Sequence, residues 1–289
     1  MKNLINMKKH LLIAISLIFS TYLQAQEVGQ YLFVNAGGGL HNLSYALKNG
    51  SEKGEFGYTF NAGYGYFLNK HWGLQTGIGL QSYSSVATIH YNTSVPATDA
   101  DGETYEYRTS YNNWKEKQQL LFVEIPLGMQ YRCDLTQKLQ LLAGTGIKIS
   151  FPVKKNFRTT GGEIVTTGYY SQYNVVLSDL PRHGFNTIAG PLTGDVPLKT
   201  SYSLFADFGV LYGLPHNLDL YAGGYLNYGV NNVASSSGKL VYQQDGNYNS
   251  VLDSNQTDRA RTIAIGLKMG VVWHFGGNNA VTEPTIKVK

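Results

Sequence analysis

The sequence predicts an all-β fold, an eight-stranded antiparallel up-and-down transmembrane β-barrel, and three observations carry that expectation. From Leu121 to Arg132 the chain sorts residue by residue onto two faces. Leu121, Val123, Ile125, Leu127, Met129 and Tyr131 alternate with Phe122, Glu124, Pro126, Gly128, Gln130 and Arg132, the two-residue period of a strand with one apolar and one mostly small or polar side. Similar segments recur along the chain with aromatic ends, many glycines and no helical partner. One such strand would suit a soluble sandwich; eight in series favour an outer face against lipid. The connections between them alternate between tight and long, as in barrels with short turns at one end and long loops at the other.

Taken in order, the chain opens on a leader. Lys8 and Lys9 precede an apolar run from Leu11 to Phe19, and Leu23-Gln24-Ala25 offers a cleavage site before Gln26. That run is far shorter than the roughly 20 residues of a membrane-spanning helix, so residues 1–25 read as a signal peptide, starting at Met1 or Met7. Residues 26–275 form the expected barrel and 276–289 a short polar periplasmic tail. The strands are expected near Tyr31 to Leu40, Gly57 to Leu68, Trp72 to Tyr83, Leu120 to Arg132, Leu139 to Phe151, Ser201 to Gly213, Leu218 to Val230 and Arg261 to Phe275. Each is long enough for the roughly 9 to 11 residues that cross a bilayer at a tilt. Tight turns fall at 69–71, 133–138 and 214–217, and long loops begin near His41, Ser84, Pro152 and Asn231.

Aromatic residues cluster at the short-turn ends. Tyr31, Trp72, Tyr131, Tyr212, Trp273 and Phe275 are expected to form an inner girdle at headgroup level, where amphipathic rings are favoured.

Composition excludes several classes. Of the 23 Lys and Arg residues, Lys2, Lys8 and Lys9 lie in the leader, leaving 20 against 19 acids. The mature chain is therefore near neutral, and no nucleic-acid-binding surface is indicated. Cys133 is the only cysteine, which rules out an intramolecular disulfide or a thiolate metal cluster and leaves a free thiol in a turn. No cofactor or metal is expected.

The polar face carries nearly balanced charge. Glu124, Lys148, Asp207 and Lys268 fall at similar depth, with Glu124 opposite Lys148 if the register is symmetric about their turn; Arg132, Asp219 and His274 lie lower. An eight-stranded barrel has an interior just wide enough for side chains to fill. A lumen ion network of Glu124, Arg132, Lys148, Asp207 and Lys268 is thus expected to plug the barrel rather than to conduct.

Enzymatic signals are weak. A lipid-A-modifying enzyme would need a histidine with a serine or acid at the outer rim, but His41 and Ser44 are spaced onto opposite faces. His90 and His183 stand in loops without a nucleophile-and-base arrangement. The long connections say more. Thr88 to Asn92 and Thr104 to Arg108 are β-prone runs around a turn-rich stretch from Pro96 to Gly102, extending the barrel outward as a hairpin. Phe157 to Thr160 and Glu163 to Thr167 flank Gly161-Gly162, another hairpin signal, followed by Tyr169, Tyr170 and Tyr173.

Phe122-Val123-Glu124-Ile125-Pro126-Leu127-Gly128 resembles a strand motif of Bacteroidetes outer-membrane β-barrel proteins, the PorT-like group. Thr167 to Tyr170 and Leu180 to Phe185 are similar to loop sequence in OmpA-like barrels of that group. The resemblance implies an OmpA or OmpX type barrel in the cell outer membrane. The expected partners are outer-membrane lipids and lipopolysaccharide, the barrel-assembly machinery and an envelope protein. A non-enzymatic surface protein is the favoured function, with a narrow transport barrel or a lipid-A-modifying enzyme as the alternatives.

Overall fold

A computed structural model describes residues 29–235 and 237–275; the expected leader and polar tail lie outside them. Eight long strands dominate: β1 (Gln30–Leu47), β2 (Gly50–Phe67), β3 (Trp72–Thr98), β4 (Thr104–Asp134), β5 (Leu139–Tyr170), β6 (Ser201–Leu214), β7 (Leu218–Gly229) and β8 (Thr257–Phe275). Each pairs antiparallel with its sequence neighbour, and β1 pairs with β8 from Gln30↔Phe275 to Leu47↔Thr257. The ring is closed, so within the barrel no strand leaves a bare edge; beyond Ile89 the tip of β3 pairs with β4 alone. Among the described residues no helix is long and apolar enough to cross a membrane.

Side chains alternate across the wall as the two-residue period requires. In β4, Ile125, Leu127, Met129 and Tyr131 are exposed outside, whereas Phe122, Glu124, Gly128 and Gln130 are buried inside. The inner volume is filled in levels. Tyr31, Phe67, Leu211, Tyr221 and Val272 pack together at the short-turn end. A larger cluster above the charged level includes Tyr83, Trp114, Phe122 and Phe157 of the wall, together with Val233, Val241 and Leu252 from the β7–β8 connection. Gly65 is required at the lower level, because a Cβ there would overlap the Tyr31 ring.

At the long-loop end the expected outward hairpin of β3 and β4 is present, and the strands run further than the sequence indicates. Much of what reads as loop is strand: β3, β4 and β5 span 27, 31 and 32 residues, and β1 and β2 run on until only Lys48 and Asn49 separate them. Gly161-Gly162 does not turn a hairpin. β5 passes straight through it, and Gly162 (φ +79°) and Asn113 (φ 50°) mark a bulge where the β4–β5 register slips between Asn112 and Glu116. The glycine pair thus accommodates an irregular ladder, a role that produces the same local signal as a turn. Cys133 belongs to the end of β4, opposite Leu141, not to a turn. The β5–β6 connection lies against β5 through three short strands, Val175–Leu177, Thr187–Ile188 and Thr193–Asp195.

Candidate functional site: the lumen layer and the outer mouth

Strand parity brings four of the expected charged residues into the lumen as two ion pairs. Lys148 Nζ lies 3.1 Å from Glu124 Oε2, and Lys268 Nζ lies 2.9 Å from Asp207 Oδ1. The expected register is corrected by two residues: Lys148 stands opposite Pro126, and Glu124 opposite Ser150. The lysine reaches its partner diagonally, and Ser150 Oγ adds a hydrogen bond to Glu124 Oε1 at 3.3 Å. Both ammonium groups sit near aromatic faces, Lys148 over Phe205 and Lys268 over Tyr221, contacts that compensate a desolvated cation.

The layer continues through neutral groups. Gln81, with its amide turned to satisfy both neighbours, joins Asn227 to Glu124, 3.0 Å from Glu124 Oε2. His41 is fully buried; its Nδ1 meets Ser82 O at 2.8 Å and its Nε2 meets Tyr225 OH at 2.5 Å. Gln81, Asn227 and Tyr225 were not singled out from sequence. Their polar side chains on an inward parity were the available signal.

Arg132 is not part of this layer. It lies at the short-turn rim, where its guanidinium covers the Phe67 ring at 3.8 Å and Nε donates to Lys70 O. Asp219 and His274 form a separate pair at 2.7 Å near that rim. Between the rim and the ion pairs, a cavity of about 60 Å³ is lined by Asn35, Asn61, Gln75, Gln130 and the charged residues Lys148, Asp207 and Lys268. That is room for a few waters.

Five of the six girdle residues point outward. Trp72 meets Tyr131 edge-on at 5.0 Å, Trp273 lies 5.8 Å from Phe275, and Tyr212 is exposed. Tyr31 is the correction. It is buried in the lumen, hydrogen-bonded to Gln130 and packed on Phe67, because the outward parity of β1 belongs to Leu32 and Val34.

The outer mouth is fastened by Glu116. This fully buried carboxylate accepts from Ser250 Oγ at 2.6 Å, Tyr248 OH at 2.7 Å, Gln118 Nε2 at 2.9 Å and the Val251 amide at 3.1 Å. Burial pushes its carboxyl above the usual carboxylate range, against the pull of those donors. Three of the donors belong to the β7–β8 connection, so one wall residue holds that connection across the mouth. At the far tip, Tyr105, Tyr107, Tyr170 and Phe185 pack together. Tyr169 and Tyr173 lie at its surface, bonded to Asn174 and Glu103 respectively.

The rim histidines do not assemble into a catalytic group. His41 faces the lumen and Ser44 the outside, opposite Arg261. His90 and His183 are exposed on separate elements, β3 and the turn at Pro181–His183.

No family model and no curated protein matches the chain. Among solved structures, the chain is similar to Neisserial surface protein A at 15% identity and a TM-score of 0.38, covering 85% of this chain and 97% of that one. The outer membrane protein OprG from Pseudomonas aeruginosa matches at 10% identity and a TM-score of 0.39, covering 88% and 99%. Ail, the attachment invasion locus protein of Yersinia pestis, matches at 10% identity and a TM-score of 0.33, covering 87% and 100%; that structure holds the heparin analogue sucrose octasulfate.

Proposed function

We propose that the protein is an integral outer-membrane barrel with a sealed lumen, whose tall strand extensions and tyrosine-rich loops serve as a non-enzymatic surface for contacts with an envelope or extracellular partner. One observation carries the membrane part of this reading. Every strand of the ring holds a large apolar side chain against the outside: Leu40, Phe60, Ile78, Leu127, Ile147, Leu204, Leu226 and Leu267, between 45% and 74% exposed. A continuous apolar band is not tolerated on a monomer in water. On β4 the band runs from Tyr131 to Leu121, which at ~3.3 Å per residue and ~40° of tilt is ~25 Å, the height of a lipid-facing belt.

The sealed lumen is supported by the apolar plug at the short-turn end, the ion-paired layer and the mouth closed through Glu116. Transport has less support, since the cavity between plug and ion pairs is small and bounded by side chains. Within this reading, Phe122 to Gly128 favours a PorT-like relation in the Bacteroidetes.

Fractionation of cells tests the proposal. The protein is expected in the outer-membrane fraction, extractable only by detergent, with heat-modifiable migration on gels. Crosslinking in intact cells is expected to capture an envelope or extracellular partner through the tyrosine-rich tip. A water-soluble monomer overturns the membrane reading. A lipid A modification lost on His41→Ala, His90→Ala or His183→Ala, seen in mass spectra, overturns the non-enzymatic one.

A further inference from the structure

Directly above the apolar band, the outer face of β4 and β5 collects cations. Lys117 stands opposite Arg158, Lys154 stands opposite Leu121, and Lys115 lies two residues beyond Lys117 on the same face. The row continues through Val86 of β3 to Lys53 of β2. Parity aims these side chains outward, because the intervening Glu116, Gln118, Phe157 and Thr159 are buried. Lys115, Lys154 and Arg158 are exposed. Like charges directly across a ladder oppose each other's placement; Glu55 answers Lys117, which leaves Arg158 and Lys154 as the cations an added anion would meet. The carboxylates on this face are Glu55, 2.7 Å from Lys117, Asp195, opposite Asn156, and Glu163, which is bonded to Asn112 at the upper edge of the patch. Cations remain in excess.

The patch is also concave. The segment Ala189–Pro191 stands over β4 and β5 and encloses a groove of about 530 Å³, whose lining includes Lys117, Gln119, Arg158 and Thr160. Its height is set by the ladder. Leu121, the last residue of the band on β4, faces Lys154, and Arg158 is four residues further along β5. At ~3.3 Å per residue and ~40° of tilt, that places the guanidinium's backbone ~10 Å above the band, in the headgroup layer.

We infer that this groove binds the phosphorylated sugar headgroup of an outer-leaflet glycolipid. The inference rests on the outer-membrane reading above and adds a site and a ligand class to it. The occupant is set by position and chemistry. A group at that depth belongs to lipid, an Arg beside lysines matches phosphate oxygens, and Gln119 and Thr160 offer hydrogen bonds to sugar hydroxyls. Neither a carboxylate peptide nor a neutral lipid meets all three conditions.

The test uses the full-length folded protein in detergent micelles, with diphosphorylated lipid A, dephosphorylated lipid A and phosphatidylglycerol as probes and native mass spectrometry as the readout. The double variant Lys154→Gln, Arg158→Gln removes exposed cations at and above the outer edge of the band, away from the core. Heat-modifiable migration checks that it folds. It is expected to bind diphosphorylated lipid A about tenfold more weakly, while Lys138→Gln, Lys239→Gln, removing the same charge elsewhere, changes binding by less than about twofold. Equal affinity for the dephosphorylated probe overturns the inference, as does an unaffected double variant. Equal affinity for phosphatidylglycerol reduces the patch to a general anion attractor and also overturns it. Absence from the outer-membrane fraction would instead remove the reading on which the site rests, a result distinguishable from failure in micelles.

Discussion

Lys148 Nζ meets Glu124 Oε2 at 3.1 Å although their backbones are two positions out of register, Lys148 facing Pro126 and Glu124 facing Ser150. Both side chains are almost wholly withdrawn from solvent, so neither can be left alone without an uncompensated charge. Glu124→Ala is expected to destabilise by about 3–5 kcal/mol, whereas Glu124→Gln combined with Lys148→Met recovers most of that loss, because the desolvation of both ions goes with them. Denaturant midpoints of the refolded protein in detergent measure this. A Glu124→Ala variant within about 0.5 kcal/mol of wild type would show that the pair contributes little.

Leu127 separates a lipid-facing wall from a water-facing one. It is 58% exposed at mid-band. In water Leu127→Arg would be nearly neutral, but at a bilayer midplane it costs about 2–4 kcal/mol. Gln119→Arg, above the band, is expected to be neutral. Equal folding yields of the two variants into lipid vesicles would count against the belt.

Glu116→Ala should release the β7–β8 connection. The change strips the acceptor from Ser250, Tyr248 and the Val251 amide, and each buried donor left unmet costs about 1–3 kcal/mol. Limited proteolysis is expected to cut near Asp245 in the variant and not in wild type, with the barrel still heat-modifiable. Unchanged protection would mean that Val233, Val241 and Leu252 hold the connection unaided.

Acid should loosen the β3–β4 tip. Asp99 accepts from the Glu103 amide at 2.9 Å, from Tyr170 OH at 3.0 Å and from the Asp101 amide at 3.0 Å, and these bonds hold its carboxyl below the usual 3.8. A depressed carboxyl contributes stability above its unfolded pKa and loses it as pH falls through the folded one. Protection of the Gly102 amide, measured relative to its intrinsic exchange rate, is therefore expected to fall below about pH 3.8 in wild type and to be low throughout in Asp99→Ala. A wild-type tip insensitive to acid would remove Asp99 as its tie.

The barrel was legible wherever one face of a strand is uniformly apolar, as in β8, where Ile265, Leu267, Met269 and Val271 are all exposed outside. It was not legible at Tyr31. Tyr31, Leu32, Phe33 and Val34 are apolar on both parities, so alternation there carries no sign, and only the closed ring decides which pair fills the lumen. Lys148 and Lys268 could be placed by counting from tight turns. Glu116 could not, because its partners Tyr248, Ser250 and Val251 lie more than 130 residues away in a connection without periodicity. The Gly161-Gly162 bulge failed for a related reason, since positive φ serves turns and bulges alike.

Closure of the ring by β1 and β8 has a consequence for how the chain is made. The ladder from Gln30↔Phe275 to Leu47↔Thr257 joins nearly the first described residue to the last, close to the largest sequence separation available among the described residues. Loop-closure entropy for that seam must be met before any of its hydrogen bonds form, which makes non-local pairing slow. Until Phe275 is delivered, seven strands present two raw edges and an apolar outer face to whatever surrounds them, the conditions for aggregation. The nascent chain therefore cannot finish this architecture piecemeal; it must be kept extended and insoluble surfaces apart until its final strand arrives, and only then does the sheet acquire an inside.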